Sequence, residues 1–248
     1  MDAIGAIKPE RLLAADGTGA YWLAKDKDLD RHILVRLHVP STSEDAEPLE
    51  LQRLRFIESG RALAAVDHPN VARVLDYGRM ADGQPYYTIT GYRRRLTERL
   101  AEDRPLSIKD ANKILEEALS GLEAAHSIGI AQGAIGPEAI LLTRKQPQVK
   151  LAGFTGKAGT GGVSNPTMVA DVFAIGLMAY RLFAGQMPSA KAPRPSELNT
   201  ALPAALEKWT MRCLASNPDI RPADAVAARA QFFASGVAPI SPDSRAWL

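Results

Sequence analysis

Cysteine is almost missing from this chain. Cys213 is the only one in 248 residues, which excludes an internal disulfide framework and a thiolate zinc site and fits a reducing compartment. A dominant charge is missing too, because 30 basic and 28 acidic side chains leave a formal +2. That balance gives no reason to expect a nucleic-acid partner. No stretch approaches 18 uninterrupted apolar residues, and Met1 to Lys8 has no basic region leading into a long apolar one. Neither membrane insertion nor a secretory leader is expected, and the expected location is the cytoplasm. Internal repeats and low-complexity segments are absent as well. What remains is ordinary globular composition, 46% hydrophobic and 23% charged, in a chain long enough to bury its own core.

The hydrophobic period changes once along the chain. From Leu12 to Ile89 it is mostly short β-rich runs, at Tyr21 to Ala24, His32 to His38, Val71 to Tyr77 and Tyr86 to Thr90. Asp16-Gly17 and Asp82-Gly83 separate them as turns, which predicts an antiparallel sheet. One helical stretch interrupts it, with Leu51, Leu54, Ile57 or Glu58, Arg61 and Ala62, and Ala65 and Val66 at three- and four-residue spacing before Asp67-His68-Pro69-Asn70. After Gly91 the pattern is helical. Ser107 suits an N-cap, followed by Ile108, Ala111, Leu115, Ala118, Leu122 and Ala125 on one stripe. Residues 171 to 184 are apolar nearly all round, as expected of a helix buried on most sides. Further helices are expected around Trp209 and over Ala223 to Ala234, with a glycine-rich loop over Gly156 to Asn165. The fold class expected is α+β, a bilobal chain with a small β-rich lobe, 10–91, a larger helical lobe, 92–236, and a tail, 237–248.

Several segments, taken in this order, resemble the eukaryotic-like protein kinases of bacterial Ser/Thr type. They are Tyr21-Trp22-Leu23-Ala24, Ile33-Leu34-Val35-Arg36-Leu37, Asp67-His68-Pro69-Asn70-Val71, His126-Ser127-Ile128-Gly129-Ile130, Pro137-Glu138-Ala139-Ile140-Leu141-Leu142, Asp171-Val172-Phe173-Ala174-Ile175-Gly176 and Cys213-Leu214-Ala215-Ser216-Asn217-Pro218-Asp219-Ile220-Arg221-Pro222. The resemblance covers residues 10 to 236 and implies a bilobal fold and phosphoryl transfer by positioning and charge stabilisation.

Carried over position by position, the same resemblance implies that the chemical groups have been replaced. The phosphate-covering loop falls on Ala14, Asp16 and Gly19, the strand lysine on Arg36, and the lysine's glutamate partner on Ser59. The catalytic His-Arg-Asp stands as Gln132-Gly133-Ala134, so Ala134 occupies the place of the base. The loop lysine falls on Gly136, and the two metal-ligand positions fall on Ala139 and Gly153, neither of which offers a lone pair to a hard cation. Asp171 is expected to be structural, capping the catalytic-loop backbone. Arg221 matches an arginine that in the family pairs with a glutamate, and none stands near Asn165-Pro166.

The expectation from these losses is a degenerate pseudokinase without catalytic residues, not an enzyme, requiring no cofactor and no metal. It would act as a protein-binding or regulatory module. An atypical nucleotide-dependent transferase and a nucleotide-sensing switch without turnover stand as alternatives. For Arg36, pairing with a local carboxylate is favoured over phosphate binding. Lys25 reads as an exposed strand lysine before it reads as a replacement, and His126, Cys213 and Trp209 read as packed core residues. Arg93, Arg94 and Arg95 form the sharpest basic cluster. A solvated loop paired with Glu98, Glu102 and Asp103 is the simpler reading, and docking of an acidic or phosphorylated protein partner the sharper one.

Overall fold

Alternation along the first strands builds a sheet with two unlike faces. In the computed structural model, β1 (Ile7–Asp16), β2 (Gly19–Asp26), β3 (Arg31–His38), β4 (Val74–Arg79) and β5 (Pro85–Ile89) form an antiparallel sheet ordered β1-β2-β3-β5-β4. The residues described are 7–16, 19–43, 46–90, 94–102, 106–133, 135–143, 149–154, 167–189 and 191–237. Tyr21, Leu34 and Tyr87 point to the main core, where Phe56 of α1 (Leu49–Ala64) joins them. Ala24, Ile33, Val35 and Tyr86 form a smaller cluster on the opposite face. The Phe56 and Tyr87 rings meet at 5.3 Å, which seats α1 against the sheet.

Two strand boundaries differ from expectation. β1 begins at Ile7, although Lys8, Pro9, Glu10 and Arg11 break any alternation there. It is an edge strand whose register shifts between Pro9 and Arg11 and again between Leu12 and Ala14. Proline and bulges suit that position, where no further strand has to pair. The run at Val71 enters its strand only at Val74, because Val71 instead bridges Leu151 and the Ala72 N–H donates to the Leu151 carbonyl at 2.8 Å.

The second lobe contains α2 (Leu96–Leu100), α3 (Ile108–Ser127), α4 (Met168–Ala184), α5 (Pro195–Leu198), α6 (Ala204–Cys213) and α7 (Ala225–Ala234). It also holds a small sheet, β6 (Arg94–Arg95), β7 (Ile140–Leu142) and β8 (Val149–Leu151). Ser107 Oγ accepts the Asp110 N–H at 3.1 Å and so starts α3. Thr167 Oγ1 does the same for Ala170 at 3.1 Å, which starts α4 one turn earlier than its apolar run, and Gly185 ends it in the left-handed conformation. Trp209 stacks on Phe232 at 4.8 Å and donates to the Ala228 carbonyl at 2.9 Å, joining α6 to α7. Gly176 lets α6 approach α4, since a Cβ there would lie 2.8 Å from Cys213 Cβ. Burial in that contact pushes the Cys213 thiol up to about 12, so it behaves as a small apolar group. Among the described residues no helix is long and apolar enough to cross a membrane. The loop expected over Gly156 to Asn165 lies outside the described residues.

Gly121 marks where α3 meets the junction between the lobes. A Cβ there would stand 2.6 Å from the Asn70 carbonyl oxygen, and that oxygen accepts the Leu151 N–H at 2.8 Å. Gly121→Ala would have to displace backbone rather than a flexible side chain. We expect it to cost about 1–3 kcal/mol. Urea denaturation reads this directly, and an unchanged midpoint would show that the junction yields freely.

Candidate functional site

Asp171 sits at the start of α4 and is buried. Its Oδ2 accepts the Gln132 N–H at 2.6 Å and its Oδ1 accepts the Gly133 N–H at 2.7 Å. His126 completes the set. The Ala225 N–H donates to His126 Nδ1 at 3.0 Å, so the ring carries its proton on Nε2 and donates to Asp171 Oδ2 at 3.0 Å. One carboxylate thus holds the loop through Gln132 and Gly133, the end of α3 and, through the imidazole, the start of α7. Gln132 extends the network, donating from Nε2 to the carbonyls of Ala152 at 2.8 Å and Gly153 at 3.1 Å. Ala134 lies outside the described residues.

The loop and β8 bring the two candidate metal positions together. A Cβ built on Gly153 would lie 4.0 Å from Ala139 Cβ. Neither residue carries a side-chain oxygen, and among the described residues no three His, Cys, Asp or Glu side chains gather in metal-binding geometry. The residues present therefore do not fit the magnesium that the resemblance implies. Two residues after Gly136 stands Glu138, whose carboxylate a Cβ at Gly136 would meet at 2.6 Å.

The small lobe fills the space above. Tyr21 and Arg36 are directly paired across β2 and β3, so their side chains leave the same face of the sheet. The Arg36 guanidinium carbon lies 4.2 Å from the Tyr21 ring centre, and that of Arg95, from β6 of the other lobe, lies 4.5 Å from it. All three side chains are buried, Arg36 at 4% and Arg95 at 3% exposure. The Tyr21 hydroxyl reaches across to Gly153, standing 3.3 Å from where a Cβ at that residue would be. Gly153 has a φ of +67°, a left-handed conformation that glycine adopts without cost. Its missing side chain gives the tyrosine its room. Ser59 of α1 makes a further tie between lobes, donating from Oγ to the Phe154 carbonyl.

The described members of the arginine run, Arg94 and Arg95, are both turned into contacts within the chain. Arg93 lies outside the described residues, Arg94 pairs with Glu102, and Arg95 is folded into the cleft. A chain of charged residues following a strand predicts solvation, whereas the Tyr21 ring draws Arg95 inward by cation–π attraction. The Arg36 guanidinium lies over the same aromatic ring. Lys25 pairs with Asp30 in the turn after β2, away from the cleft, and the pair lowers the Asp30 carboxyl and raises the Lys25 ammonium. Arg221 donates to the carbonyls of Ala215 at 2.7 Å and Ser216 at 3.4 Å and lies over the Phe173 ring at 4.5 Å. Tyr21 is the site residue that sequence reasoning missed. Its signal was its place two residues after Gly19, opposite Arg36.

The same arrangement of lobes occurs in a solved structure. A double mutant of the Mycobacterium tuberculosis PknI kinase domain superposes with a TM-score of 0.71, covering 95% of this chain and 98% of that one at 22% identity. The chain has a protein-kinase fold. It is also homologous to bacterial serine/threonine protein kinases. PknA of Mycobacterium tuberculosis is 28% identical over 90% of this chain, and PrkC of Bacillus subtilis is 23% identical over 84%. The chain spans 61% of PknA's length and 37% of PrkC's. No family model matches it.

These relatives correct one expectation. Each is named a serine/threonine protein kinase, so the kinase-fold homologues of this chain point to an enzyme, and the expectation of a non-enzyme is withdrawn. The α+β bilobal expectation agrees with the kinase fold, a β-sheet lobe followed by a helical one. The kinase-fold cleft of this chain nevertheless carries its own side chains, Tyr21, Arg36 and Arg95, between the lobes.

Proposed function

We propose that this kinase fold serves as a protein-binding, regulatory domain, a single unit with lobes at 10–91 and 92–236. The observation that carries the reading is the Tyr21 ring held between the lobes by Arg36 and Arg95, over a Gly153 that leaves room for it. A cleft filled from within gives a rigid link between lobes rather than an open receptor. Support also comes from Ala139 and Gly153, which offer no side-chain oxygen to magnesium. A second reading, phosphoryl transfer from ATP at a rearranged site, is favoured by the names of the relatives.

Thermal unfolding and label transfer with magnesium ATP separate the two. A ligand that binds the native state alone must raise Tm. The regulatory reading expects Tm to stay within about 1 °C in millimolar magnesium ATP. A rise of several degrees together with transfer of label to a protein acceptor would establish the second reading and end the first.

A further inference from the structure

Arg95 is buried with two of its donors unsatisfied. Its Nε and Nη2 have no hydrogen-bond acceptor, and both lie on the same edge of the guanidinium. That edge presents two parallel N–H groups, the fork that meets two oxygens of a carboxylate or phosphate. Among the described residues, the carboxylates nearest in the chain make other contacts. Glu98 Oε1 accepts the Arg95 backbone N–H at 3.3 Å, and Glu102 is held by Arg94 and, at 3.6 Å, by Arg99. The Tyr21 ring attracts the cation through its face but offers no acceptor to these in-plane donors. Arg36 brings a second buried cation to the same ring.

We propose that the Nε–Nη2 edge of Arg95, reinforced by the charge of Arg36, is a binding site for an oxyanion, a phosphate or a carboxylate group. Buried guanidinium donors without acceptors are costly, and an oxyanion supplies an acceptor to each of the two Arg95 donors. The donors are closed to solvent in this conformation, so uptake requires the Arg95 side chain to turn off the Tyr21 ring. Binding is thereby coupled to the contact between the lobes, since Arg95 belongs to one lobe and Tyr21 to the other. The inference rests on the regulatory reading of the cleft and gives that reading its ligand chemistry.

The test follows the arginine Nε–H signals by nuclear magnetic resonance while inorganic phosphate is added, with sodium chloride at matched ionic strength as the control. A second arm uses a glycine-flanked phosphoserine hexapeptide. The Arg95 signal should shift saturably in at least one arm, with Tm rising about 2–4 °C near saturation. Arg95→Met, which keeps the length and removes the donors, should abolish the rise. Should that variant not fold, the titration of the wild-type chain decides alone. A midpoint at least tenfold lower for the peptide assigns the anion to a protein partner, and equal midpoints assign it to the free ion. An Arg95 signal that moves no more than in chloride in either arm overturns the site, as does a Tm rise that survives in Arg95→Met. Label transfer from magnesium ATP overturns the regulatory reading alone, while a silent Arg95 overturns the site alone.

Discussion

Asp171→Ala should destabilise the chain by about 3–5 kcal/mol, the range for removing one partner of a buried charged network. The carboxylate accepts from Gln132, Gly133 and His126, and alanine leaves all three donors buried and unpaired. Two of them are backbone N–H groups of a loop that cannot turn toward water without moving. The third is the imidazole that also accepts from Ala225, so the loss reaches α7. Asp171→Asn should cost less, since one amide oxygen can still accept, but its NH2 group faces donors. Urea denaturation of both variants checks the order, alanine worse than asparagine and both well below the wild-type chain. Equal midpoints for all three would mean that the loop is held by something other than this carboxylate.

Tyr21→Ala should be comparably severe, about 3–5 kcal/mol, because a buried ring is deleted and a cavity is left between two guanidinium groups. The ring is the shared surface of Arg36 and Arg95, so its loss also removes a cation–π contact from each. Tyr21→Phe keeps the stack and removes only the hydroxyl beside Gly153, and should cost no more than about 1.5 kcal/mol. Denaturation midpoints give the stability order. Limited proteolysis adds a local reading, because a weakened link between lobes should speed cleavage near the junction in Tyr21→Ala before global unfolding. Identical digestion patterns for Tyr21→Ala and the wild-type chain would show that the Arg36–Tyr21–Arg95 stack does not join the lobes.

The amino-acid order by itself determined the succession of lobes, because hydrophobic period is a local property. The short β-rich runs at Tyr21 to Ala24 and His32 to His38 point to strands, and the stripe from Ile108 to Ala125 points to a helix, whatever else the chain does. Order along the chain also identified Ala139 and Gly153 as positions without metal-binding oxygens, since that depends only on which residue stands where. The tertiary structure alone decided what occupies the cleft. Tyr21 meets Arg36 through strand register, and Arg95 through a contact between lobes, neither of which leaves a periodic trace. Ser59 reaches Phe154 across 95 residues of chain, a pairing that no local pattern encodes. Arginines following a strand read as solvated because charge favours water. Only the folded chain places an aromatic face where Arg95 can be buried against it, and leaves its two in-plane donors without an acceptor.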